Sequence, residues 1–210
     1  MPRWEPGSRE RLVVAAVDLF TEQGYDETTV AQIAERAGVT RSTFFRHFAD
    51  KREVLVAGQD TLGRLLAEGI AEAPAGVGPL DAVAAGLARA SSAMGSANRE
   101  LGPRLKAAVA ASTELQERDA LKHVGLAAAM TTALLARGIP DSTAHLAGEM
   151  GVLAFKQGYA RWRENDQYAS DELAPHALAA LNELRAASAI LNASKVNDSA
   201  DNINAAQRPT

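Results

Sequence analysis

The chain contains no cysteine, which excludes disulfides and thiolate metal sites and fits a reducing, cytoplasmic setting. No uninterrupted apolar run reaches the roughly 18–20 residues that a membrane span needs. The opening "MPRWEPGSRERL" lacks an apolar h-region, so no signal peptide is expected. β-branched clusters are few, and no period-2 run is bounded by hairpin turns, so no sheet is expected either. There is no Gly-rich phosphate loop, no Ser–His signal and no convincing His–carboxylate cluster. The expectation is a non-enzyme without cofactor or metal. Positive charge is also short overall, with a net charge of −4 and a pI near 5.6. Such a chain is no general polyanion binder, and any contact with nucleic acid requires positive charge concentrated locally.

What is present is helix. Alanine, leucine, glutamate and arginine dominate, and the apolar spacing predicts nine helices without an internal repeat. In "GSRERLVVAAVDLFTEQGYD", Leu12, Ala16, Leu19 and Phe20 share a face and Gly24 supplies the stop. Thr29 with Gln32 forms a capping box for a second helix that Gly38 ends. Thr40 caps a third, with Val39 and Phe44 as a hydrophobic staple. Asp50 and Glu53 are expected to open one long helix through Leu55, Leu62, Leu65, Leu66 and Ile70. After the Gly/Pro-rich break "APAGVGP", five more helices follow, near 80–94, 103–111, from Thr113 to "RGIP", 141–164 and 171–191. Thr113 with Gln116 is read as the cap of the third of these, and Gly138 as its stop. The fold class is all-α. An N-terminal three-helix domain with a helix-turn-helix occupies 1–57, a larger helical domain 58–191, and an aperiodic polar tail, expected to be disordered, 192–210.

The third helix has an unusual face. Phe44 and Phe48 define its buried side, and at about 100° per residue Ser42 and Arg46 fall nearly opposite, with Thr43 and Phe45 on the flanks and Arg41 in the first turn. A helix-turn-helix requires such an arrangement, because the second helix puts its N-terminal residues against base edges in the major groove. Arginine can bond guanine through two N–H groups, and hydroxyls can meet phosphate or base. From Arg36 to Arg52 the cations Arg36, Arg41, Arg46, Lys51 and Arg52 face Asp50 alone, a local excess of four on a chain otherwise acidic by eight. By chemistry alone, a capped helical hairpin with a solvated charged face remains an alternative.

"ETTVAQIAERAGVTRSTFFRHFADKREVL" closely resembles the N-terminal domain of TetR-family transcriptional regulators. The resemblance covers about residues 8–57, and the remainder only in length and layout. It implies that Thr29 and Thr40 bind phosphate, that Arg41, Ser42, Thr43 and Arg46 face bases or sugars, and that His47 and Lys51 contact the DNA backbone. The family commonly has tyrosine where this chain has Phe45, whose role is then packing on a sugar or a thymine methyl. Arg3 and Arg9 are placed to reach an adjacent groove or phosphate.

For the larger domain, the family implies a homodimer built on the last two helices, an operator of double-stranded DNA, and a small-molecule effector. Ala147, Gly151, Ala154 and Gly158 form a small-residue stripe, and Leu178, Leu181, Leu184, Ala187 and Leu191 an apolar seam, together read as the dimer interface. Packing within one subunit is the competing reading. Met94, Leu126, Met130, Met150, Phe155, Tyr159 and Trp162 are the candidate effector-lining residues, since methionine and aromatics suit an adaptable apolar pocket; the same residues suit an ordinary core. "STELQERDALK", "ARGIP" and "AFKQGYARW" are similar to domains of this family that take acyl-CoA-like ligands, which implies an acyl-type effector. His145 and Glu149 lie four apart on one helix face, but two ligands do not make a metal site.

Overall fold

The computed structural model describes residues 7–164 and 172–205, with side chains as far as Leu191. Among the described residues nine α-helices run in the order α1 Ser8–Gln23, α2 Val30–Arg36, α3 Arg41–His47, α4 Gln59–Glu72, α5 Pro79–Ser92, α6 Ser96–Ala110, α7 Thr113–Ala136, α8 Asp141–Glu164 and α9 Ala174–Ala205. No strand occurs among the described residues. No helix of the described residues is long and apolar enough to cross a membrane.

Two cores organise the chain. The first gathers Leu12, Ala16, Leu19 and Phe20 of α1, Ile33 and Ala34 of α2, and Phe44 and Phe48 around α3. Ala108 of α6 and Leu115 of α7 are buried in this same core. The N-terminal helices therefore complete their interior only with help from beyond residue 57. The second core joins α4, α5, α7, α8 and α9 through Leu66, Ile70, Val83, Leu87, Met130, Leu134, Val152 and Leu181.

Several expectations about element ends need correction. Asp50 does not open one long helix: it caps a 3-10 segment, Lys51–Val56, by accepting from the Arg52 and Glu53 N–H groups. Gly58, at φ 86° in the left-handed region, then breaks the chain before α4. Glu53 turns to Arg118 instead of closing a capping box. Ser112, one residue before Thr113, caps α7 by accepting from the Leu115 N–H. Helix α6 begins at Ser96 and runs through Pro103. Helix α9 continues to Ala205, past the tail boundary set at Asn192; neither glycine nor proline interrupts it after Pro175. The expected tail residues 206–210 lie outside the described residues.

The small-residue stripe serves the interior of the subunit. Ala147 and Ala154 are buried in the second core. A Cβ on Gly151 would meet the Met130 sulfur at 2.7 Å, and one on Gly158 would collide with the backbone of Ala177. These residues let α8 approach α7 and α9 of the same chain, so they cannot form the dimer interface expected of them. Leu181 is likewise core, and Leu178 and Leu184 pack against it. Ala187 and Leu191 stay exposed.

Candidate nucleic-acid interface

Helix α2 starts on a reciprocal cap. The Thr29 hydroxyl accepts from the Gln32 N–H at 3.3 Å, and the Gln32 side-chain oxygen accepts from the Thr29 N–H at 2.8 Å. The helix ends where the Val39 N–H reaches back to the Ala34 carbonyl at 2.9 Å, around Gly38 at φ 65°. The Thr40 hydroxyl then accepts from the Thr43 N–H at 3.1 Å and starts α3. Two caps and one left-handed glycine thus set the angle between the helices. The Arg11 guanidinium donates to the Ala37 carbonyl at 3.1 Å and ties α1 to the end of α2.

Inside, Phe44 is fully buried and meets Phe48 at 5.6 Å between ring centres. Outside, Arg41, Ser42, Phe45 and Arg46 are exposed, and Thr43 is half-buried. Phe45 is 51% exposed, an aromatic ring presented to water beside two guanidinium groups. Among the described residues, neither Arg41 nor Arg46 makes a hydrogen bond or ion pair. This face can offer two free guanidinium groups, two hydroxyls and an apolar ring to a duplex.

The other cations of the segment are engaged. Arg36 pairs with Glu22 at 2.8 Å, and Arg52 with Asp50 at 2.7 Å and Glu114 at 3.2 Å. Lys51 departs from its expected role as a DNA-backbone contact. Its ammonium donates to the carbonyls of Tyr25 at 2.7 Å, Thr28 at 2.9 Å and Asp26 at 3.4 Å, and lies 4.0 Å over the Tyr25 ring. All three donors are spent holding the α1–α2 loop that delivers Thr29. His47 shares a hydrogen bond with Ser8 at 2.8 Å and is half-buried. Arg9 is exposed and rests 5.4 Å over the Phe48 ring; Arg3 lies outside the described residues.

Beyond this head, the candidate effector residues divide. Leu126, Met130 and Trp162 are buried, and Met94 and Phe155 pack against the second core. Tyr159 stacks on Phe155 at 6.2 Å, tilts against Trp162 at 5.7 Å, and donates to the Asn98 carbonyl at 2.7 Å. Met150 separates from the group, because it shares the outer face of α8 with the exposed Leu146 and Leu153. His145 turns to Asp141, its Nδ1 lying 3.0 Å from that residue's carbonyl, so it is not paired with Glu149.

Sequence reasoning missed the contacts that join head and body. Arg104 of α6 pairs with Asp18 of α1, and Arg118 of α7 pairs with Glu53 at 2.5 Å. Beside the latter, a cleft of about 260 Å³ is lined by Arg9, His47, Glu53, Asp60 and Arg118 among others. No local spacing signals such pairs, since 86 and 65 residues separate the partners.

A three-helix unit that sets a short polar helix outward across a tight turn defines a helix-turn-helix of the DNA-binding class. Residues 12–57 match the model of bacterial regulatory proteins of the tetR family. Over this segment the chain is similar to the DNA-binding domain of that family. It is 42% identical over 76 residues to the HTH-type transcriptional regulator TcmR of Streptomyces glaucescens, a match covering 36% of this chain and 34% of TcmR. The chain thus matches about a third of the length of that relative. The whole fold is shared with a solved regulator described as TetR-family from Mesorhizobium loti (TM-score 0.52, 20% identity, 86% of this chain and 96% of the other). It is shared too with FadR of Bacillus subtilis, solved in complex with stearoyl-CoA (TM-score 0.53, 20% identity, 82% and 95%).

Proposed function

We propose that the chain is a dimeric transcriptional repressor that binds a pseudo-palindromic operator and is released by a small, largely apolar effector. The observation that carries this reading is the outer face of α3, where Arg41 and Arg46 have no partner among the described residues while the cations around them do. Thr29 and Thr40 bind phosphate in this reading, with backbone N–H groups at the helix starts. Arg41, Ser42, Thr43 and Arg46 face bases and sugars, and Phe45 packs on a sugar or thymine methyl.

One short helix reads few base pairs, so a second copy is needed for a specific site. The exposed apolar side chains that remain on the last two helices support a two-fold contact. These are Leu146 (62% exposed) and Leu153 (43%) on α8, with Met150 between them, and Ala187, Ile190 and Leu191 on α9. This face replaces the stripe of small residues. Residues 1–57 act as the reading head and 58–191 as the dimerisation and effector domain, coupled through the shared core at Ala108 and Leu115 and the Arg104–Asp18 and Arg118–Glu53 pairs. An effector shifts the spacing of the two heads only by its preference for one arrangement, and a near-complete switch requires about 10⁴-fold differential affinity. The stearoyl-CoA held by the similarly folded FadR supports an acyl-type effector.

Footprinting on operator sequences selected from random DNA tests this directly. Two protected half-sites with centres roughly 34–36 Å apart, or a multiple of that, are expected. A single unpaired half-site would rule out the dimeric operator reading.

A further inference from the structure

Helix α7 carries a lysine that no hydrogen bond or ion pair among the described residues engages. Lys122 lies seven residues after Leu115 and four before Leu126, both buried, so at about 100° per residue its stem lies on the inward side of α7. Across the antiparallel α7–α8 contact, Gly151 faces Met130 and Gly148 faces Thr131. Counting back at about 1.5 Å per residue along both helices sets Lys122 level with the segment of α8 from Phe155 to Tyr159.

Lys122 makes no hydrogen bond or ion pair among the described residues. Burial holds its ammonium below the usual lysine pKa, and the Asp119 carboxylate opposes that only in part. His123 beside it is also held low, by burial first and also by Lys156 and Lys122, against Asp119. One turn past Tyr159, Trp162 is 1% exposed and its indole N–H has no partner among the described residues. A buried donor left without an acceptor is costly, and native interiors rarely keep one without a use. Lys122 itself is only partly covered, so a ligand can reach it. Leu126 lies in the second core, and Met94 and Phe155 pack against it.

We propose that this region of the bundle binds an organic anion, a carboxylate or sulfonate on an apolar body, with Lys122 as its counter-ion and the Trp162 N–H as a second polar anchor. The inference rests on the effector-domain reading above and narrows it. A neutral effector would leave the lysine charge uncompensated in a low-dielectric site, whereas an anion completes the pair.

The probes are 1-anilinonaphthalene-8-sulfonate and its uncharged parent N-phenyl-1-naphthylamine, which share one body and differ by the sulfonate. Both are titrated into the full chain by fluorescence. The wild type binds the sulfonate saturably at about one per chain and about tenfold more tightly than the parent. Lys122→Met weakens the sulfonate by about tenfold and leaves the parent unchanged, while Lys122→Arg retains sulfonate binding. The thermal midpoint of Lys122→Met is no lower than that of the wild type, since it removes an uncompensated charge. Equal affinity of the wild type for both probes, absence of saturable sulfonate binding, or an unaltered sulfonate affinity in Lys122→Met overturns the proposal. If Lys122→Met does not fold, the wild-type comparison decides alone. Operator binding by the same samples is scored separately: its failure counts against the repressor reading and leaves the anion result standing.

Discussion

At the scale of single residues, function depends on which cations are free. Arg46 and Lys51 look equivalent in the sequence, five residues apart in one basic segment, yet one faces solvent and the other props a loop. Arg46→Ala is expected to relax preference at one base pair of each half-site by about 1–3 kcal/mol, read by anisotropy titrations against a set of operator point variants. Lys51→Met is expected to behave differently. Loss of three carbonyl contacts destabilises the head by about 1–3 kcal/mol, seen as a lower urea midpoint. The slope of log affinity against log salt stays unchanged, whereas loss of a true phosphate contact flattens it by about one unit. The spacing of Phe44, Phe48, Ser42 and Arg46 was enough to orient the recognition helix, because a 3.6-residue period is a local property. It said nothing about Lys51, whose carbonyl partners lie 23 to 26 residues back along the chain.

Among the helices, starts and stops written in local chemistry were readable, and those settled by packing were not. The Thr29–Gln32 box, the Thr40 cap and the glycines at 24, 38 and 138 stand where their chemistry puts them. The break at Gly58 was hidden inside an apolar pattern, since Val54 and Leu55 before it and Leu62 after it are all buried. Gly58→Ala is expected to cost about 1–2 kcal/mol through the left-handed backbone alone, because open space surrounds its would-be Cβ. The small residues of α8 posed a harder question. A stripe that admits a close neighbour does not say whose helix that neighbour is, and here the neighbours are α7 and α9 of the same chain. Gly158→Ala is therefore expected to lower stability by about 1–3 kcal/mol, measured by urea unfolding with an unchanged m-value. A stripe reserved for a second subunit would instead lose dimerisation without losing monomer stability.

For the whole molecule, the N-terminal head shares a core with the body, and in the proposed dimer two bodies meet through the outer faces of α8 and α9. Leu153→Glu is expected to yield a folded monomer by light scattering and to abolish tight operator binding while sparing the helical circular dichroism signal. A dimer that survives this change places the contact elsewhere. The central claim, that the outer face of α3 reads DNA, is tested most directly by one comparison. The full chain and its Arg41→Ala/Arg46→Ala variant are titrated against the same selected operator at fixed salt, with thermal midpoints confirming that both are folded. The variant is expected to lose specific binding by about a hundredfold or more while its midpoint stays within a few degrees. Wild-type affinity in a folded variant would contradict it.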